Sequence, residues 1–362
     1  MSKKITIPAV KFQDMVARSV KGASENKLLP ITSMMCIEMK NNVLTLTTTD
    51  TANTLKVRAD KIQGEDMYAV VPVSKFSALI SRISSDSVTL EMTDKLIVHA
   101  NGRYEIDLCV DEDGVVQFPE YSFTKEGEGQ IINLTSVKNI LDINKPCLAK
   151  TVDTPALCGY FLGKRVITSD ADCICFNDMD VLGGEYLLSA EMMDMLSLFK
   201  QEKINWWYKD GAFLFESEDM VLYGVEYDGK EEYPADAVSQ YLEVEFPSHC
   251  KLSKIAIQDV ISRLAIFIEP YDKGGAYFTF TKDGIQVASK KNSSNELIPY
   301  QQSESFAPFH CCANINMLKS LVDSCPEESV ELYYGDEDCF KFTAGKVTQV
   351  MALMVDEETA NG

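Results

Sequence analysis

From Cys36 the chain reads CIEMKNNVLTLTTTDTANTLKVRAD, with apolar and polar positions alternating on either side of Asn41-Asn42 and again in a third run. Alternation at period two with β-branched residues is the pattern of a half-buried strand. An Asn-Asn pair tolerates the positive φ of a tight hairpin turn. The stretch holds no nucleophile–base pair, metal-ligand cluster or phosphate loop. It predicts scaffold, and the scaffold recurs.

Residues 74–108, 189–225 and 314–353 share one order: an N-cap residue, a short amphipathic helix, a strand, a turn and two more strands. The caps are Ser74, Ser189 and Asn314, spaced 115 and 125 residues apart; the turn residues Asp94, Asp210 and Asp336 are spaced 116 and 126. Between these segments lie three more hairpins, turning at Asn41-Asn42, Gly163-Lys164 and Asp283-Gly284. Each follows a helical stretch: VKFQDMVARSV, SVKNILDIN and AIQDVISRLAIFI. The period is too long for a solenoid, whose units run about 20–50 residues. It predicts an α+β chain of three repeated domains, each with two helices against antiparallel strands. The expected domains are 1–125, 126–248 and 249–362, joined near FTKEGEGQ and EVEFPSHCKLS.

Composition changes this picture little. The 362 residues are 46 % apolar, enough for sizeable cores, with no apolar run of membrane-spanning length. MSKKITIPAV lacks the apolar stretch of a signal peptide, and eleven scattered cysteines predict reduced, mostly buried thiols in a cytoplasmic protein. A net charge of −21 argues against nucleic acid until the cations are placed. Lys11 and Arg18 flank the apolar stripe of Phe12, Met15 and Val16; Lys75 and Arg82 flank that of Phe76, Leu79, Ile80 and Ile83 in the same relation. Arg263 repeats the second place beside Ile257, Val260, Ile261 and Leu264, and Lys138 and Lys145 are again seven apart. Seven residues is two helical turns, so each pair shares one side of its helix. Lys200 and Lys319 lie on the remaining helices, whereas the acids cluster in VDEDG, EYDGKEEYPAD, CPEESVE and VDEE.

Catalytic chemistry is not indicated. The three histidines, His99, His249 and His310, begin no catalytic motif, and neither HCC at 310–312 nor Cys173/Cys175 has the paired spacing of a zinc site. No cofactor and no metal are expected. The Trp206-Trp207 pair on a strand predicts one core ring and one surface ring. A non-enzymatic structural or assembly protein built from three β-rich domains is the alternative reading.

The ordered repeats resemble the bacterial-type DNA sliding clamp, the β subunit of DNA polymerase III. LLPITSMMCIEMKNNVLTLTTTD is similar to that family's LPIL…L…LTGTD segment, VVPVSKF to its VPARKF, YDGKEEYP to its DGRFPDY linker, and MALM to its C-terminal MPMR. The resemblance covers nearly the whole chain. It implies a half-ring of three clamp domains that closes head to tail as a homodimer around double-stranded DNA, without sequence preference. It also implies a processivity factor that tethers a replicative polymerase and is loaded by a clamp-loader ATPase, with no membrane partner. The cations expected to face DNA are Arg18, Lys21, Arg82, Lys138, Lys145, Lys200, Arg263 and Lys319. The expected subunit interface joins Tyr104 and Ile106 to Ile266 and Phe267.

The resemblance further implies an outer pocket for short apolar partner motifs. Leu157, Pro234, Met351, Leu353 and Met354 would build it, with Ser169, Asp170, Ala171, Asp172 and Ile174 on one rim. TSDADCICF departs here from the family's Thr-Asp-Gly-His-Arg-Leu, replacing His and Arg by an extra acid, and the chain runs past MALM into VDEETANG. These departures mark a divergent member, of the kind a phage or other mobile element would carry. They predict a pocket that disfavours acidic motifs.

Overall fold

The structure, a computed structural model, describes residues 3–151, 154–291, 293–335 and 338–355. Asp336 and the residues after Val355, including the acidic DEE, lie outside the described residues. Amphipathic helices form at all six expected places: α1 (Ala9–Ser19), α2 (Val73–Ile80), α3 (Leu134–Asn144), α4 (Ala190–Leu196), α6 (Lys254–Leu264) and α7 (Ile315–Ser324). A short helix, α5 (Ala235–Ser239), lies between the two stretches expected as linkers, YDGKEEYP and EVEFPSHCKLS. Asn314 caps α7, its side chain accepting from the backbone N–H of Asn316 and Met317. Ser74 does not cap α2, which starts one residue earlier, behind Pro72.

The chain forms two compact units: residues up to Thr135 with Glu191–Glu226, and Ser136–Ala190 with the residues from Tyr227 on. In the first unit the Asn41-Asn42 turn has φ of 51° and 62°, the doubly positive geometry of a type I′ hairpin. It joins strands Met34–Lys40 and Val43–Thr49, which belong to an antiparallel sheet of eight. Strand Asn53–Ala59, from the first repeat, pairs with Met220–Val225 from the second; Leu55 faces Leu222, and both are fully buried. A five-stranded sheet ends on Arg103–Asp107 as its edge strand. Phe12 of α1 and Phe76 of α2 meet edge to face, with centroids 5.9 Å apart.

The second unit holds an antiparallel sheet of twelve strands, joined in the same manner. Strand Cys173–Asn177 of the second repeat pairs with Val347–Ala352 of the third. Strand Ser248–Ser253, which falls inside the expected linker EVEFPSHCKLS, is paired on both sides. Beneath the sheet, α6 and α7 bury Ile257, Ile261, Leu318 and Leu321 with Phe278, Phe340 and Phe342.

The segment after Phe118 is tied down across the sheet of eight. Tyr121 stacks on Tyr223 with centroids 4.5 Å apart, Lys125 sits 4.7 Å over the Trp207 ring, and Trp207 Nε1 donates to the Gly127 carbonyl at 3.4 Å. Trp206 is the core ring of the pair. A stacked aromatic pair contributes about 1 kcal/mol beyond burial. Tyr121→Ala is therefore expected to speed tryptic cleavage after Lys125 several-fold while the melting temperature moves little. Unchanged cleavage would show that the strap is held by other contacts.

Candidate functional site

Two sets of side chains were singled out from the sequence: those of an apolar groove in the second unit and the cations on the helices of each unit. The groove is assembled from the chain upward. Tyr233 is buried, stacks on Phe161 at 5.0 Å and donates its hydroxyl to the Ile167 carbonyl at 3.1 Å. That anchor fixes Pro234 and the start of α5, which presents Val238 and then Tyr241 beside the joined strands. The result is a cavity of about 270 Å³ lined by Leu157, Ile174, Pro234, Val238, Tyr241, Val350 and Ala352, with Ser169, Ala171, Asp172, Cys173, Asp338 and Cys339.

Six of the ten expected pocket residues line this cavity: Leu157, Ser169, Ala171, Asp172, Ile174 and Pro234. Met351 does not. It pairs with Cys173 and Phe340, and its side chain is 0 % exposed in the core beneath the sheet. Alternate residues of a strand point to opposite faces, so Val350 and Ala352 take the place expected of Met351 and Leu353. Leu353 and Met354 instead line a neighbouring depression of about 450 Å³ with Tyr271, Asp272, Lys273, Lys290, Asn314 and Met317; Asp172 and Ala352 border both.

Asp170 is also absent from the groove lining. Its Oδ1 accepts from the backbone N–H of Asp172 at 3.0 Å and of Cys173 at 2.7 Å, holding a turn in which Ala171 has φ of 76°. Asp50 does the same work in the first unit, accepting from Ala52 at 3.0 Å and Asn53 at 2.6 Å around Thr51, whose φ is 86°. The Thr/Ser-Asp element is thus a turn device common to two repeats. The groove's acids are Asp172 and Asp338, and its lining includes no Lys or Arg. Val238, Tyr241, Asp338 and Cys339 were missed because they lie on α5 and the turn after it, and at the start of a strand distant in sequence; Tyr233-Pro234 was their one local signal.

All eleven cysteines are free thiols, eight of them buried. Burial pushes the Cys147 thiol well up, and hydrogen bonds with Cys173 and Cys175 add to the shift. Among the described residues no cluster of His, Cys, Asp and Glu could hold a metal, and no helix is long and apolar enough to cross a membrane.

The expected DNA-facing cations divide into two groups. Lys21, Arg82, Lys138 and Lys145 are exposed, as are Lys11 and Lys75; Arg82 folds back to donate to the Ala78 carbonyl at 2.9 Å. Lys200, Arg263 and Lys319 are engaged by carboxylates: Lys200 by Asp14 at 2.7 Å, Arg263 by Glu296 at 2.6 Å and Lys319 by Asp323 at 2.6 Å. Arg18 departs from expectation. It is 8 % exposed, with Nη1 2.8 Å from Asp219 and Nη2 3.1 Å from Asp14. Asp219 belongs to the loop before strand Met220–Val225, so Arg18 serves the joint between the first two repeats rather than an open face.

At the expected interface, Tyr104 is partly exposed, but Ile106 is 1 % exposed and pairs with Leu96 in the core. The outward positions of that edge strand are Arg103, Glu105 and Asp107. Ile266 and Phe267, on the turn after α6, are 79 % and 49 % exposed.

No protein-family model matches the sequence, and no curated protein matches it. Solved structures do. The DNA polymerase III β subunit of Thermotoga maritima superposes with a TM-score of 0.86 at 14 % identity, covering 98 % of this chain and 100 % of that one. The β subunit of Streptococcus pyogenes gives 0.84 at 15 %, again over 98 % and 100 %. A Pseudomonas aeruginosa sliding clamp bound to griselimycin gives 0.80 at 15 %, over the same shares.

The Arg18–Asp219 contact generates a pH dependence. Burial tends to raise the Asp219 carboxyl, but hydrogen bonds from Gln201, Arg18 and Ser217 outweigh it and hold the group below its ordinary value. A carboxylate depressed in the folded state contributes stability above its unfolded pKa and loses it as pH falls through the folded one. Asp219→Asn is therefore expected to lower the melting temperature at pH 7, with the gap to the parent closing below about pH 4. A gap independent of pH would show that the charge is not what matters. Over 98 % of its length, the chain has the fold of the DNA polymerase III sliding clamp.

Proposed function

We propose that this protein is a DNA sliding clamp, a processivity factor without catalytic activity of its own. Residues 1–125, 126–248 and 249–362 form its three clamp domains, and two chains close head to tail around duplex DNA in the cytoplasm. The observation that carries this reading is the set of exposed lysines and arginines at repeated helix positions in a chain of net charge −21. A fold alone does not establish a function. Helices on which exposed cations recur at matching places, in a chain with 55 acidic and 34 basic residues, suit a surface that must meet phosphates without reading sequence. Retention then comes from topology, so tight binding is unnecessary. A clamp-loader ATPase places the ring, and a replicative polymerase is held through the apolar groove. The exposed apolar pair Ile266 and Phe267 meets the edge strand Arg103–Asp107 of a second copy.

The test is retention on circular DNA. With a cognate loader and ATP, the protein is expected to stay on a nicked circle through gel filtration and to leave once the circle is cut. Ile266→Asp with Phe267→Asp is expected to give a folded monomer by light scattering that is not retained. Retention on linear DNA, or a variant that stays dimeric, would refute the reading.

The groove has its own test. Its apolar lining suits the anchors of a short extended segment, and Asp172 and Asp338 set the charge at its rim. Rim ion pairs contribute up to about 1 kcal/mol. A short peptide with two leucine anchors and a flanking lysine is expected to bind about threefold tighter than its glutamate twin by calorimetry. Preference for the glutamate peptide would defeat the assignment.

A further inference from the structure

Three of the cations on or beside the helices are already neutralised within their own unit. Asp14 Oδ2 lies 2.7 Å from Lys200 Nζ and 3.1 Å from Arg18 Nη2, so one carboxylate serves two cations. Asp323 Oδ2 lies 2.6 Å from Lys319 Nζ, one helical turn earlier on α7, while its Oδ1 accepts from Gln258 of α6 at 2.7 Å. Glu296 takes Arg263 through both oxygens, with Nε at 3.0 Å from each and Nη2 at 2.6 Å from Oε2. These pairs differ from the buried Arg18–Asp219 contact. The side chains of Lys200, Arg263 and Lys319 are 55 %, 56 % and 42 % exposed, so structural burial does not demand the acids. In contrast, Lys11, Lys21, Lys75 and Lys138 have no ion pair with any described residue.

We propose that Asp14, Glu296 and Asp323 act as internal counter-ions, keeping Lys200, Arg263 and Lys319 from closing fully on DNA phosphates and so setting how loosely the duplex is held. This rests on the reading that the helices face DNA. Phosphate and carboxylate compete for the same cation. A phosphate can gain a paired lysine only by displacing a carboxylate already at contact distance, so that lysine adds little to the net count of phosphates neutralised. Each phosphate neutralised steepens the log–log salt dependence of binding by about 0.9. A surface on which some cations carry their own acids keeps both affinity and salt dependence low, and low affinity is what a tether that must move requires. Removing the Asp14 charge leaves Arg18 its Asp219 contact, so the fold does not depend on Asp14 alone.

The experiment is anisotropy titration of a short fluorescein-labelled duplex of mixed sequence between about 50 and 200 mM salt, over which the Debye length roughly halves. The full-length protein is compared with Asp14→Asn/Asp323→Asn and with Lys11→Gln/Lys75→Gln/Lys138→Gln. Asp142→Asn, exposed on α3, controls for net charge. The acid-to-amide pair is expected to bind several-fold tighter at the lowest salt, with a slope steeper by about one to two. The lysine triple is expected to weaken binding, and Asp142→Asn to change log affinity by well under half as much as the amide pair. If the triple weakens binding but the amide pair neither tightens nor steepens it, the counter-ion proposal fails while the DNA surface stands. The proposal also fails if Asp142→Asn, which removes one charge where the amide pair removes two, gives half the pair's change in log affinity or more. If neither multiple variant changes binding, the DNA-facing reading fails and the proposal with it.

Discussion

The pairing of strands across repeats is the constraint on which the rest depends. The middle repeat does not close on itself. One of its halves lends Met220–Val225 to Asn53–Ala59 of the first repeat, and the other lends Cys173–Asn177 to Val347–Ala352 of the third. An unpaired edge is a row of unsatisfied backbone donors and acceptors and a hazard for aggregation. Joining the edges removes that exposure and continues each buried face across the seam. The seam then dictates secondary roles. Arg18 is drawn into an ion pair with Asp219 beside one seam, and the Tyr121–Lys125 strap covers the sheet that contains it. The groove lies beside the other seam, lined by residues of strands Cys173–Asn177, Val347–Ala352 and Cys339–Ala344.

Much of this was legible in the sequence because it rests on local periodicity. The Asn41-Asn42 hairpin follows from period two and a turn pair that accepts positive φ. The six helices follow from apolar stripes at helical spacing, and Asn314 caps its helix as read. What escaped is what depends on long-range pairing. Strand parity decides that Val350 faces the groove and Met351 the core, and parity is set by the partner strand, which no local window contains. The same holds for Ile106, apolar on an edge strand yet facing inward, and for Arg18, whose helical position matches Arg82 and Arg263 but whose neighbour is Asp219. Asp170 was misplaced for a different reason. Its side chain is consumed by its own turn, as the Asp50 counterpart shows.

Charge placement follows from the same architecture. The helices carry cations because their apolar stripes already supply the core, leaving their flanks free for function. Yet those flanks also hold Asp14, Asp259 and Asp323, and the sheet opposite α6 supplies Glu296. A helix crowded with unpaired lysines would repel itself and its neighbours, at a cost that grows with each added like charge. Interspersed carboxylates relieve that repulsion in the free protein. A chain with 55 acidic and 34 basic residues can therefore carry exposed cations on its helices without destabilising its fold. It can present cations singly, each screened from distant acids over about 8–10 Å of salt solution, with some paired to a neighbouring acid. On the counter-ion proposal, affinity for a polyanion is governed less by how many cations the helices display than by how many of them lack an acid of their own.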